Sequence, residues 1–187
     1  KPMMAMAGLQ AGLVTPESTV ADPGWYSLPG DSRRYRDWIL KIRGTGHAPR
    51  VDMHMAVAES CDVYFYDLAR RLTIDRMHDY LSGYGLGKRT GVDTTNERPG
   101  VLPSTRWKRD TMNQPWYPGE TLSAGIGQGY MLATPMQLAA ATTVLATRGQ
   151  ARTPRLLRSV AGGCCAAARG RLRGFDIARE VAIYCAL

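Results

Sequence analysis

The sequence predicts an α+β domain, mostly helical, with candidate strands around Gly24 to Leu28 and Arg155 to Val160. Apolar residues recur at helix spacing in Phe65, Leu68, Ala69 and Leu72, and again in Ile74, Met77 and Leu81. Between such stretches lie segments rich in Pro and Gly, with room only for short strands. A chain of 187 residues that is 44% hydrophobic and 21% charged is globular and long enough to bury one core, as a single domain or as a piece of a larger one.

Lys1 to Ala11 reads as a helix: Pro2 suits a first turn, Met3, Met4, Ala7 and Ala11 make a stripe, and Gly12 stops it. Residues 15–50 are punctuated by Pro16, Pro23-Gly24, Pro29-Gly30 and Gly44-Thr45-Gly46. They read as a long ordered loop with a short strand around Gly24 to Leu28, and a loop of that length needs something to hold it. Val51 to Ala58 is predicted as a short helix entering a turn at Ser60. Ser60 and Asp62 then stand where a hydroxyl or a carboxylate caps the helix that carries Phe65 to Leu72.

The next helix, Ile74 to Ser82, ends at Gly83-Tyr84-Gly85. Residues 86–120 read as turns and loop. Thr134 caps a helix that begins at Pro135 and runs to Gly149, apolar nearly all round and therefore expected to be buried. Arg155 to Val160 is a candidate strand. After Gly162 the composition changes abruptly, and residues 163–187 are set apart as a divergent tail of the kind an out-of-frame read produces.

The chemistry-bearing runs are Lys1-Pro2 with the following dozen residues, Ser60-Cys61-Asp62 leading into Val63-Tyr64-Phe65-Tyr66, and Gly125-Ile126-Gly127-Gln128-Gly129-Tyr130 followed by Thr134 to Leu138. Together they resemble the transpeptidase domain of class B penicillin-binding proteins, most closely the penicillin-binding protein 2 branch. The likeness covers residues 1–162. It implies the penicillin-binding-protein/β-lactamase-like fold, a helical lobe on an antiparallel sheet, here truncated with part of the sheet missing.

Enzymes of that class use a Ser-x-x-Lys turn, whose spacing puts nucleophile and amine on one helix face. By the resemblance Lys1 is that lysine and acts as general base, the nucleophile falling three positions ahead of it. Ser60 relays the proton. Asp62 stands where most relatives carry Asn and orients the substrate, although an ionised carboxylate only accepts hydrogen bonds. Lys88-Arg89-Thr90-Gly91 imitates the third family motif, Lys-Ser/Thr-Gly, but its surroundings match a different family segment, so that motif is expected to be missing. The glycine run fits neither phosphate-binding spacing and is read as support for the cleft.

Asp22, Asp37, His47 and Cys61 offer two oxygens, a nitrogen and a sulfur, all suited to tetrahedral zinc. Spacing alone, with no paired CxxC or HxxxH, leaves chance assembly open. The resemblance implies a structural zinc on these four residues, pinning the long loop to the catalytic helix. The other cysteines (Cys164, Cys165, Cys185) show no framework and fix no redox compartment.

The implied protein is a D,D-transpeptidase of the cell inner membrane's periplasmic face. It cross-links peptidoglycan stem peptides, is acylated by β-lactam antibiotics, and works beside other cell-wall elongation proteins. No apolar run nears the roughly 20 residues that cross a bilayer and no signal peptide is present, so an anchor is expected outside residues 1–187. Lacking nucleophile and third motif, these residues are expected to be inactive alone.

Two other readings stay open: a non-catalytic, zinc-stabilised remnant, and a basic binding module. The net charge of +8 invites the second. Yet Arg33, Arg34 and Arg36, Arg70 and Arg71, and Arg106 to Arg109 are dispersed and no nucleic-acid motif accompanies them, so nucleic acid is not an expected partner.

Overall fold

The computed structural model describes residues 1–157 and the backbone of residues 169–171. Helix α1 (Pro2–Gln10) begins the chain, with Pro2 in the first turn, where its missing N–H costs nothing. Its buried stretch is Met4 to Gly8. A side chain at Gly8 would collide with Leu68 and Val14, so the glycine is what lets this helix lie close to the core.

The long loop is closed at its base by β1 (Val20–Ala21), antiparallel to β4 (Arg50–Val51), with Val20 opposite Val51. Inside it β2 (Trp25–Tyr26) pairs with β3 (Tyr35–Arg36), so the strand expected over residues 24–28 is two residues long. A short α2 (Leu40–Arg43) ends on Gly44 at φ 73°. The helix expected from Val51 is α3 (Met53–Ala58), because Asp52 caps it by accepting the Met55 N–H at 2.8 Å while Val51 stays in β4.

Helix α4 (Asp62–Leu72) is the centre of the core. Val63, Tyr64, Phe65, Leu68, Ala69 and Leu72 are each no more than 1% exposed. Full burial of a side chain such as Phe65 or Leu68 is worth roughly 1.5–3 kcal/mol. The cap differs from expectation. Cys61 Sγ accepts from Tyr64 N–H, and Asp37 Oδ2 accepts from Asp62 and Val63 N–H at 2.6 and 3.2 Å, so neither Ser60 nor Asp62 caps this helix. Both side chains are turned to Lys1 instead.

Thr73, at φ 69°, bends the chain into α5 (Ile74–Gly83), which buries Ile74, Met77 and Leu81 as its spacing predicts. Residues 86–120, expected as loop, contain α6 (Thr105–Met112) and the start of α7 (Pro118–Gly125). The buried residue of α6 is Lys108, so no apolar stripe marks it. Pro118-Gly119 is the start of α7 rather than a turn, Glu120 accepting from Tyr117 N–H at 2.8 Å. Gly125 packs against Ala69 and the Phe65 carbonyl, where a larger residue would overlap Ala69 and crowd the carbonyl.

Helix α8 (Pro135–Ala146) is capped as expected by Thr134, with Gln137 completing the reciprocal pair. It is not buried all round. Gln137, Ala141 and Val144 face inward, while Leu138 is 48% exposed. On the outward flank Thr142, Thr143 and Thr147 return their hydroxyl protons to carbonyls four residues back.

Strand β5 (Gln150–Arg152) pairs with β6 (Arg169–Arg171). Of the candidate strand at 155–160, residues 155–157 are not extended into a ladder and 158–160 lie outside the described residues. The tail at 163–187 likewise lies outside them, apart from the backbone of β6.

Burial pushes the Tyr64 phenol, 1% exposed, from 10.0 up to about 12. Between pH 10 and 12 the unfolded chain releases a proton that the native state keeps, so stability falls across that window, by up to about 2–3 kcal/mol from this residue. Burial raises the Tyr66 phenol in the same direction. Urea unfolding at pH 9 and 11.5 should show the fall, and the slope should be shallower for Tyr64→Phe.

Candidate active site and metal centre

Ser60 lies between α3 and α4 at φ 58°, a left-handed conformation that serine rarely adopts. The bend aims the carbonyl and hydroxyl of Ser60 at the start of α1. Lys1 Nζ donates to Ser60 O at 2.6 Å, to Ser60 Oγ at 2.9 Å and to Asp62 Oδ1 at 2.5 Å. Three donors meeting three acceptors is the pattern of an ammonium. As a neutral amine the same nitrogen would keep two of these bonds and turn its lone pair to the Ser60 hydroxyl. A proton can therefore pass between Lys1 and Ser60 without either side chain moving. The Lys1 and Asp62 side chains are 13% and 12% exposed, so the pair is screened less than a surface ion pair.

This trio lines a cleft of about 550 Å³, whose other walls are Trp38, Val57, Ile126 and Gln128. Sequence reasoning missed Trp38. Its Nε1 donates to Ser60 O at 3.0 Å, so the strained carbonyl has two donors. Gln128 stands between Gly127 and Gly129, both at positive φ, and its N–H donates to Ser123 O at 2.9 Å. The predicted glycine run thus forms a wall of the cleft. Thr90, by contrast, lines another cavity and is tied with Gly91 to the Glu97 carboxylate.

The four predicted metal ligands come together. One donor atom from each of Asp22, Asp37, His47 and Cys61 lies within 4.8 Å of all the others. His47 Nε2 is 3.2 Å from the Glu59 carbonyl, which can only accept, so Nε2 carries a proton. Nδ1 then faces Asp22 Oδ2 at 3.0 Å and Asp37 Oδ2 at 3.6 Å, with the side chains fully buried. A neutral imidazole would turn a lone pair on two carboxylates. Such a nest of negative charge calls for a proton or a cation at its centre. Burial, with Asp22 and Asp37 close by, also drives the Cys61 thiol far above its usual range while no metal is bound.

The loop is shaped to reach this point. Gly46 packs so tightly on Asp22 that any side chain there would overlap it, and Asp22 accepts from Gly24 and His47 N–H at 2.8 Å each.

The class of protein that this fold and site define is shown by comparison. The Penicillin binding protein transpeptidase domain family matches residues 1–182, and the chain belongs to that family. Among curated relatives, the peptidoglycan D,D-transpeptidase MrdA of Acinetobacter baumannii is 45% identical over 162 residues, 87% of this chain and 23% of the relative. MrdA of Escherichia coli K12 is 41% identical over 161 residues, 86% of this chain and 25% of the relative. The chain therefore spans about a quarter of the length of these relatives.

Among solved structures, Pseudomonas aeruginosa PBP2 in complex with WCK 5153 superposes with a TM-score of 0.83 at 43% identity, over 96% of this chain and 39% of that one. The complex of PBP2 and MreC from Helicobacter pylori gives 0.84 at 30% identity, over 98% and 32%.

A second unpredicted group steadies the cleft from behind. Lys108, 1% exposed, donates to Glu120 at 2.5 Å and lies over the rings of Tyr117 and Tyr130 at 4.5 and 5.4 Å. It ties α6 to α7, the helix that leads into Ile126 and Gln128. Lys108→Met should lower stability by about 2 kcal/mol, less than for a fully buried pair because Glu120 is 22% exposed. Adding Glu120→Gln should recover part of the loss in urea titrations.

Proposed function

We propose that this chain carries the proton-transfer groups of a peptidoglycan D,D-transpeptidase. The observation that carries the reading is the 2.9 Å contact of Lys1 Nζ with Ser60 Oγ inside a cleft. In this reading the acylated serine stands one helical turn ahead of Lys1, outside residues 1–187. Neutral Lys1 takes the serine's proton as its oxygen bonds to the penultimate D-Ala carbonyl carbon. The proton returns through Ser60 to the leaving amine of the terminal D-Ala. The amine of a second stem peptide then breaks the acyl-enzyme, and a β-lactam acylates the same serine. Asp62 holds Lys1 in place during both steps.

A zinc ion on Asp22, Asp37, His47 and Cys61 completes the proposal. The convergence of an O₂NS donor set, with His47 oriented by the Glu59 carbonyl, supports it. When bound, the ion would offset most of the negative charge of the buried carboxylates and thiolate and pin residues 20–47 to the start of α4. In this reading the protein acts at the periplasmic face of the inner membrane, where cell-wall strands are cross-linked. Among the described residues no helix is long and apolar enough to cross a membrane. The Helicobacter pylori PBP2 structure contains MreC, which supports a cell-wall assembly partner here.

Two experiments test these readings. A polypeptide extending residues 1–187 to the length of the relatives should form an adduct with fluorescent penicillin that survives denaturation. Lys1→Ala in it should slow labelling at least ~100-fold. Residues 1–187 alone should take up no label, and a covalent label there would refute the assignment of the nucleophile. Separately, metal analysis should find close to one zinc per chain. Chelation should lower Tm by several degrees, and Cys61→Ser should abolish both the zinc and that response.

A further inference from the structure

We propose that a second cavity, beside the catalytic cleft, seats the amine-bearing substrate: a peptide with free carboxylates and one reactive amine. This deepens the transpeptidase reading and rests on it. The cavity measures about 850 Å³ and lies between the β2–β3 hairpin and the first turns of α7. That volume suits a short peptide.

Its partition from the catalytic cleft is one residue thick in sequence. Gly129 lines this cavity while Gln128 lines the other, and Gly129, at φ 70°, makes the bend between them. A peptide lying here has that turn between it and the cleft that holds Lys1, Ser60 and Asp62.

The lining favours carboxylates. Among the described residues the Arg33 guanidinium forms no ion pair; it stacks on Tyr35 at 4.9 Å, which leaves its N–H edge open. Arg70 donates its Nε to Tyr26 OH at 2.7 Å and approaches Asp67 only at 3.7 Å, so its fork is not filled. The two acids of the lining are both engaged: Asp31 accepts from Arg33 N–H at 2.9 Å, and Glu120 accepts from Lys108 and Tyr117 N–H. The far wall is aromatic and preformed, because the Lys108 ammonium holds Tyr117 and Tyr130 in position. The open N–H edge of Arg33 and the unfilled part of the Arg70 fork, near a rigid aromatic wall, suit a peptide whose backbone lies on the rings and whose acids meet the arginines.

The test uses the 187-residue chain and N-acetyl-Ala-Glu-Lys, which has two carboxylates and one amine, followed by NMR titration. Saturable binding is expected. It should weaken about tenfold in Arg33→Gln, an exposed loop residue, and similarly in Arg70→Gln, each losing one charge-assisted contact. The uncharged-acid control N-acetyl-Ala-Gln-Lys-amide should bind at least tenfold more weakly. No saturable binding, equal binding of the control peptide, or unchanged affinity in Arg33→Gln would overturn the proposal. So would tighter binding of dextran sulfate through the same arginines, which would mark a site for anionic polymer. Loss of peptide binding with normal penicillin labelling of the extended polypeptide sinks only this inference, whereas failure of labelling sinks the reading beneath it.

Discussion

The carboxylate of Asp37 is the contact on which both sites depend. One of its oxygens accepts the first two amides of α4, at Asp62 and Val63, and the same oxygen faces His47 at 3.6 Å. Helix N-termini attract negative charge through their free N–H groups and dipole, so the acid is at home there. The candidate catalytic trio and the candidate metal centre are thus two faces of one turn. Ser60 and Asp62 look toward Lys1 while Cys61, between them, looks into the metal cluster. The unfavourable φ of Ser60 is what makes three consecutive side chains diverge in this way.

Around that turn the fold supplies a rigid frame. Helix α4 is buried along most of its length, and the small residues Gly8 and Gly125 let α1 and α7 lie against it without a gap. Helix α1 delivers Lys1 and α7 delivers Ile126 and Gln128, so close packing on α4 fixes the width of the cleft. Close-packed helices move as units, which holds Lys1 within hydrogen-bonding reach of Ser60.

The parts legible in the sequence were those carried by adjacent residues. Ser60, Cys61 and Asp62 needed no long-range information, and apolar spacing gave α4 and α5 within a residue or two. The four candidate metal ligands were legible only through their flanking residues, since 25 positions separate Asp22 from His47. Helix α6 stayed hidden because what it buries is a lysine, neutralised by a glutamate from the next helix; such a pair has no local signature. Pro118-Gly119 disguised α7 in the same way. Trp38 was invisible as a site residue because its claims are long-range ones, such as a bond to the carbonyl of a residue 22 positions on. The reading of α8 as buried failed for the opposite reason, as apolar composition reports what a helix tolerates rather than what covers it.

That helix has one more property. The hydroxyls of Thr142, Thr143 and Thr147 are already spent on the backbone of their own helix, so what this flank shows to water is mostly methyl groups. Its polarity is nominal. Drying it beneath another layer of protein would strand no donor, and the usual penalty for covering threonines would not arise.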